Sequence, residues 1–139
     1  MSDFDEYEII SELVGATGEA AALAYTEWTH AVSTNVRTSR GVGTWGVVAY
    51  NDHEGVAVDL FDHDDINRRV RKNSSKLLEA QSPECVALKC TVARSGHFEI
   101  DYSYNIDEAI KWAGDFFGGS TPEELVEVLR PVDLSGDQQ

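Results

Sequence analysis

The chain has 139 residues, 42% of them hydrophobic, so it can bury a core as one domain without the help of metal ions or disulfides. Its formal net charge of -14 disfavours nucleic acid and anionic membranes as partners, because phosphate groups are bound by Lys and Arg. The same charge favours basic partners, although solubility or adaptation to high salt would also explain it.

The first predicted element is a long amphipathic helix from residue 4 to about residue 29. Its apolar side chains approximate one face at helical spacing. They are Phe4, Tyr7, Ile10, Val14, Ala21, Ala24, Tyr25 and Trp28. Gly15 and Gly18 each weaken this helix by up to about 1 kcal/mol relative to Ala, so the pattern also allows a kink or break there. A polar linker that contains glycine is predicted for residues 33–43.

Two short strands are predicted next, at residues 44–50 and 56–61, because both segments are rich in valine and aromatic side chains. Residues 51–55 between them have the composition of a turn. A helix is then predicted for residues 66–80, with Asp64 or Asp65 as its N-cap.

A second hairpin, at residues 85–106, has the clearest pattern in the chain. Both of its runs alternate in period two, with a turn at residues 94–97. One face collects the apolar side chains Val86, Leu88, Cys90, Val92, Phe98, Ile100, Tyr102 and Tyr104. The opposite face of the second run presents Glu99, Asp101, Ser103 and Asn105. This pattern predicts two half-buried antiparallel strands, the second of which shows carboxylates to the solvent or to a partner.

The last part of the chain is predicted to form two helices. Asp107 is a suitable cap for the first, which the glycines at 118–119 end. The second has Thr121 as its cap and runs to about Leu129, and a loose tail follows from about residue 132.

The predicted elements follow the order α-β-β-α-β-β-α-α. Consecutive hairpins imply an antiparallel sheet, because a short turn can join only antiparallel neighbours. The chain is therefore predicted to be a single α+β domain over residues 1–139. Its sheet would contain two hairpins, or at least four strands, packed by helices.

The sequence contains no pattern of residues that indicates a catalytic centre. The four histidines are not at metal-ligand spacing, and no nucleophile lies in a catalytic motif. Cys85 and Cys90 are expected to point to opposite faces of one strand and to stay reduced. The acidic N-terminus lacks the features of a signal peptide, and no apolar run is long enough to span a membrane. We therefore expect a cytoplasmic protein that is not an enzyme and needs no cofactor.

Two charged clusters follow each other near the middle of the chain. Residues 62–65, Asp-His-Asp-Asp, carry oxygen ligands that suit Mg²⁺ or Ca²⁺, but helix capping explains them as well. Five of the eleven basic residues follow between residues 68 and 76. Those cations would suit phosphate, but a solvated helix face that pairs with acidic neighbours is the preferred interpretation.

Residues 82–104, which follow the predicted helix, read SPECVALKCTVARSGHFEIDYSY. They contain a Pro-containing turn, a strand, a Gly-centred turn and a second strand that ends in aspartate–aromatic repeats. The residues that mark it are Pro83, Gly96, Phe98, Asp101, Tyr102 and Tyr104. With the helix before it, this segment resembles the YezG-like immunity proteins. The first hairpin is similar to that of the same family, so the likeness spans about residues 44–112. Members are bacterial antitoxins that bind and neutralise nuclease domains of secreted polymorphic toxins.

The resemblance implies a cytosolic, non-catalytic inhibitor of a basic toxin, with a nuclease domain as the expected target. A nuclease that binds phosphate has a basic cleft, and an acidic inhibitor can occupy that cleft after fast, steered association. The carboxylates expected to bind the toxin are Glu99, Asp101, Asp59, Asp62, Asp64 and Asp65.

Two other functions fit the size and charge of the chain. A secretion chaperone would dimerise and hold an unfolded effector segment in apolar grooves, so a homodimer stays an open alternative. A metal-dependent enzyme would instead require the carboxylates of residues 62–65 to converge on a pocket.

Overall fold

A computed structural model describes residues 5–37, 43–81 and 84–109, which form two helices and five strands. In chain order they are α1 (Glu6–Ala24), β1 (His30–Arg37), β2 (Gly43–Tyr50), β3 (Gly55–Ala57), α2 (Asp64–Glu79), β4 (Ala87–Ala93) and β5 (Phe98–Ser103). Residues 106–109 are also helical. The rest of the predicted helix that begins there, the last predicted helix and the predicted tail lie outside the described residues.

The five strands form one antiparallel sheet in the order β3-β2-β1-β4-β5. The two predicted hairpins are β2–β3 and β4–β5, and β1 lies between them. The α+β class and the antiparallel sheet of at least four strands are confirmed. The central position of β1 means that each hairpin is held in place by the same strand.

Strand β1 was not predicted, and it corrects two expectations about the first part of the chain. The helix ends at Ala24 rather than near residue 29, and residues 33–37 belong to a strand rather than a linker. The side chains that suggested a linker are buried and hydrogen-bonded. The hydroxyls of Thr17 and Ser33 lie 2.9 Å apart, and the amide nitrogen of Asn35 donates to the hydroxyl of Ser74 at 2.9 Å.

Both helices pack on one face of the sheet, where most of the hydrophobic core lies. The residues that α1 and α2 contribute to this core are Ile9, Leu13, Ala16, Ala20, Ala21, Val70, Leu77 and Leu78. Helix α1 continues through Gly15 and Gly18 without a break. A Cβ at position 18 would lie 3.5 Å from the ring of Trp28, which is ordinary van der Waals contact, so the ring packs directly against this part of α1.

The opposite face of the sheet is also buried along its central strands. Val32, Thr34, Val48 and Thr91 are at most 5% exposed. Strand β4 is thus buried on both faces rather than half-buried as predicted, whereas β5 stays partly exposed. After β5 the chain turns onto this face, where Ala109 packs with side chains of β1 and β4.

Candidate partner-binding surfaces

The structure places the six predicted binding carboxylates in two separate regions. Glu99 and Asp101 are on β5, and the other four are in the segment 59–65, which we call the acidic loop, between β3 and the first turn of α2. Strands β3 and β5 are the two edges of the sheet. Four strand spacings separate these edges, or roughly 19 Å. The predicted residues therefore form two candidate surfaces and not one.

The carboxylates of Glu99 and Asp101, which we call the β5 row, lie on the face of the sheet opposite the helices. In the register of the sheet Glu99 is opposite Thr91, and Asp101 is opposite Lys89. Neither carboxylate makes a hydrogen bond or an ion pair with a described residue. Cross-strand neighbours interact directly, so Lys89 offsets part of the charge of Asp101. Glu99, which is exposed and faces a neutral residue, is the stronger candidate for contact with a cation.

Apolar side chains are exposed on and just after β5. Phe98 is 47% exposed, Tyr104 55% and Ile106 49%. The alternation predicts Phe98 and Tyr104 on the core face, but at the edge of a sheet that face is only partly covered. Tyr102 does pack against the core, and burial, followed by the nearby charge of Glu6, raises its pKa to about 12. The acidic start of α1 thus lies close to β5 and adds to the negative charge there.

The acidic loop is built around a turn that Asp59 stabilises. Its carboxylate accepts a hydrogen bond from the backbone N–H of Phe61 at 2.9 Å, and the N–H of His63 donates to the carbonyl of Leu60 at 3.0 Å. This turn ends the hairpin early, since β3 stops at Ala57 and not at residue 61 as predicted. Leu60 enters the core, while Phe61 next to it is 83% exposed.

The three remaining aspartates of the acidic loop differ in what they contact. Asp65 pairs with Arg68 at 2.7 Å and with Arg69 at 3.3 Å, so its charge is largely compensated. No described residue forms a hydrogen bond or an ion pair with the carboxylate of Asp62 or Asp64. The residue at the N-cap of α2 is His63 and not an aspartate, so the predicted capping by Asp64 or Asp65 is wrong. Both aspartates lie instead in the first turn, where their negative charge interacts favourably with the helix dipole.

Phe61 was the functional candidate that the sequence pattern missed. The sequence pattern predicts it at the end of a strand, where an aromatic side chain is expected to pack. Two sequence signals would have placed it in a loop. An aspartate two positions earlier can form a turn with its backbone N–H, and acidic residues follow it directly.

The basic residues of α2 only partly follow the prediction of pairing with acidic neighbours. Arg69 binds Glu19 at 2.8 Å and Glu12 at 3.4 Å, and this contact joins α1 to α2. The guanidinium lowers the pKa of Glu19, and Glu19 in turn raises that of Arg69. Lys72 and Lys76 line a groove of about 810 Å³ between the two helices without an ion pair to any described carboxylate.

The described residues do not assemble into a metal or nucleophile site. No group of three His, Cys, Asp or Glu side chains within residues 5–37, 43–81 and 84–109 is placed to hold a metal ion. Cys85 and Cys90 are free thiols buried in the same core cluster, not on opposite faces as predicted, because Cys85 lies before β4 begins. Burial raises the pKa of Cys90 to about 12, so its thiol is not a nucleophile at neutral pH.

Two comparisons with known proteins found no match to this chain. A scan against protein-family models found no family that matches, and a search of the curated proteins found no match. Among the described residues, no helix has the length and apolar character needed to cross a membrane.

Proposed function

We propose that this chain is an immunity protein that binds a basic effector, with a nuclease domain as the expected target, and neutralises it by direct occlusion. The observation that carries the proposal is the exposed ring of Phe61 between carboxylates that have no described cation partner. Exposed aromatic side chains that become buried in a complex contribute much of the binding energy of protein interfaces. The resemblance of residues 82–104 to the YezG-like immunity proteins supports the same class of partner.

The charges around Phe61 indicate what kind of partner would cover it. Asp62 and Asp64 follow Phe61 within three positions, and the chain as a whole carries a charge of -14. A basic cleft that normally holds phosphate would attract these carboxylates from a distance. Once the cleft is occupied, the polyanionic substrate is excluded from it. Inhibition by this route requires no chemistry from the inhibitor.

Co-expression with the product of the adjacent gene tests the proposal. The effector should be toxic alone, harmless when co-expressed with this chain, and recovered with it as a stable complex at moderate salt. A neighbour whose toxicity is unaffected, or that does not co-purify, would contradict the proposal. Phe61→Asp is the matched variant for this test, because it removes the exposed ring without disturbing the core.

A secretion chaperone is the second candidate, and the exposed apolar side chains near β5 favour it. Phe98, Tyr104 and Ile106 would suit an unfolded effector segment. The two functions differ in the state of the bound effector. A native effector domain that keeps its own cooperative unfolding transition in the complex identifies an inhibitor, whereas a bound segment without such a transition identifies a chaperone.

A further inference from the structure

Of the two edge strands in the described part of the sheet, β5 is the longer. It has six residues and pairs with β4 alone among the described strands, whereas β3 at the other edge has only three residues. An edge strand carries a row of backbone N–H and C=O groups that have no partner within the sheet. A short edge offers few of them, so β5 is the edge at which another strand would be added.

The turn of the β4–β5 hairpin fixes which of these groups point outward. The N–H of Ala93 donates to the carbonyl of His97 at 2.8 Å, so these two residues form a hydrogen-bonded pair. Such pairs alternate with non-bonded pairs along an antiparallel ladder. Glu99 and Asp101 therefore bond to β4, and the N–H and C=O groups of 98, 100 and 102 point away from the sheet.

The side chains of β5 determine what kind of strand this edge admits. Proteins commonly protect an edge with lysine or proline, and β5 contains neither of them. Its charged residues are Glu99 and Asp101, so a second copy of the same strand would bring carboxylates close to carboxylates. Like charges on paired strands are destabilising, and opposite charges are stabilising. The edge thus disfavours its own copy and favours a basic strand.

We infer that the outer edge of β5 pairs with an extended segment of the partner in which Lys or Arg alternates with apolar residues. The basic residues would lie beside Glu99 and Asp101 on one face. The apolar residues would lie on the other face, beside Phe98, Ile100 and Tyr102, of which Phe98 is 47% exposed. This inference rests on the proposed function, because it describes how a basic effector would be held.

Amide hydrogen exchange on the full chain tests the inference with a defined probe. The probe is a peptide of alternating lysine and valine, as long as β5 and blocked at both ends. At a concentration ten times its Kd, it should slow exchange of the amides of Phe98, Ile100 and Tyr102 about tenfold. The amides of Glu99 and Asp101, already bonded to β4, should keep their rates.

Two controls separate backbone pairing from simple attraction of charge. A peptide of the same sequence with N-methylated valines cannot form the ladder, so it should give no protection. The variant Glu99→Lys/Asp101→Lys should lose the protection, while Asp52→Lys/Glu54→Lys, with the same change of charge in the β2–β3 turn, should keep it. Unchanged exchange at 98, 100 and 102 with millimolar peptide, or equal protection by the methylated peptide, overturns the inference.

The outcome of the exchange experiment can be separated from the outcome of the co-expression test of function. If the effector is neutralised but these three amides gain no protection from the peptide, the edge inference fails and the immunity function stands. If the peptide protects them but the effector is not neutralised, the edge binds basic strands and the proposed function fails.

Discussion

Phe61 is a residue whose removal should separate binding from folding. Because its ring is 83% exposed, Phe61→Ala should change the free energy of unfolding by less than about 0.5 kcal/mol. Loss of an aromatic contact at an interface should weaken effector binding by roughly tenfold or more. Calorimetric titration and urea unfolding measure the two effects. Leu60→Ala is the matched control, since it should instead cost about 2–4 kcal/mol of stability.

The two groups of predicted carboxylates can be distinguished by reversing the charge of two residues in each group. We expect the surface that contacts a basic effector to lose affinity when its acids become lysines, and the salt dependence of Kd to become flatter. The pairs to compare are Glu99→Lys/Asp101→Lys and Asp62→Lys/Asp64→Lys. Asp52→Lys/Glu54→Lys controls for net charge. If neither pair differs from this control, the interface lies elsewhere, for example on the acidic first helix.

At the scale of elements, Arg69 of α2 forms an ion pair with Glu19 of α1, and the stabilisation that this ion pair provides should depend on pH. Since the pKa of Glu19 is lowered in the folded protein, the stabilisation is present above its ordinary value of 4.5. It is lost as the pH falls through the lower, folded value. Arg69→Gln should therefore cost about 1 kcal/mol at pH 7, a figure kept small because Glu19 is half exposed, and much less at pH 3.

Urea unfolding of the Arg69 variant at both pH values measures this difference. Lys72→Gln is the control, because Lys72 has no ion pair with a described residue, and it should change stability little at either pH. An equal loss at pH 7 and pH 3 for Arg69→Gln would mean that the arginine stabilises the helix pair through packing of its side chain and not through its charge.

Strand β1 depends on polar contacts that a small substitution can remove. Asn35 is 3% exposed and donates to the hydroxyls of Ser74 at 2.9 Å and Ser75 at 3.1 Å. Asn35→Ala should destabilise the protein by about 1–3 kcal/mol, because buried polar groups lose a partner. Thermal unfolding measures the change. The exposed Asn105 is not a suitable control because it caps a turn, so Ala22→Ser on the exposed side of α1 is preferable.

The sequence predicted elements correctly where the pattern is local, either alternation of polarity or enrichment in valine and aromatic residues. The β4–β5 hairpin alternates clearly, and its turn is at Gly96, where φ is +104°. Strand β1 lacks this signal, because Ser33 and Asn35 face the helices and are satisfied by hydroxyls from distant elements. Those partners are set by tertiary structure, so a local pattern does not reveal them.

For the candidate surfaces, too, the sequence predicted local features but not contacts between residues that are distant in the chain. Exposure of Glu99 followed from the alternation within one strand. Pairing of Asp65 with Arg69 was within reach of helical spacing, but the bonds of Arg69 to Glu12 and Glu19 join residues about 50 positions apart. The separation of the β5 row from the acidic loop depends on the strand order, which the unpredicted β1 determines.

For the whole molecule, the net charge of -14 should control how fast an effector is captured. We expect the association rate constant to fall about tenfold or more between low salt and 0.5 M salt, because steering by opposite charges is screened. Stopped-flow fluorescence measures this rate. An association rate that does not change with salt would mean that the acidity serves solubility or salt adaptation and not capture.

The central position of β1 also determines the order in which the chain can fold during synthesis. Strand β2 is synthesised a few residues after β1 and can pair with it early. Strand β4, which pairs with the other edge of β1, is synthesised about 50 residues later. At 5–20 residues per second, translation leaves that edge open for roughly 3–10 s. During this time a strand with valines on one side and hydrogen-bonding groups along its edge is exposed to other nascent chains. Fast translation of the segment between β1 and β4, or cover by a chaperone, should therefore increase the yield of folded protein.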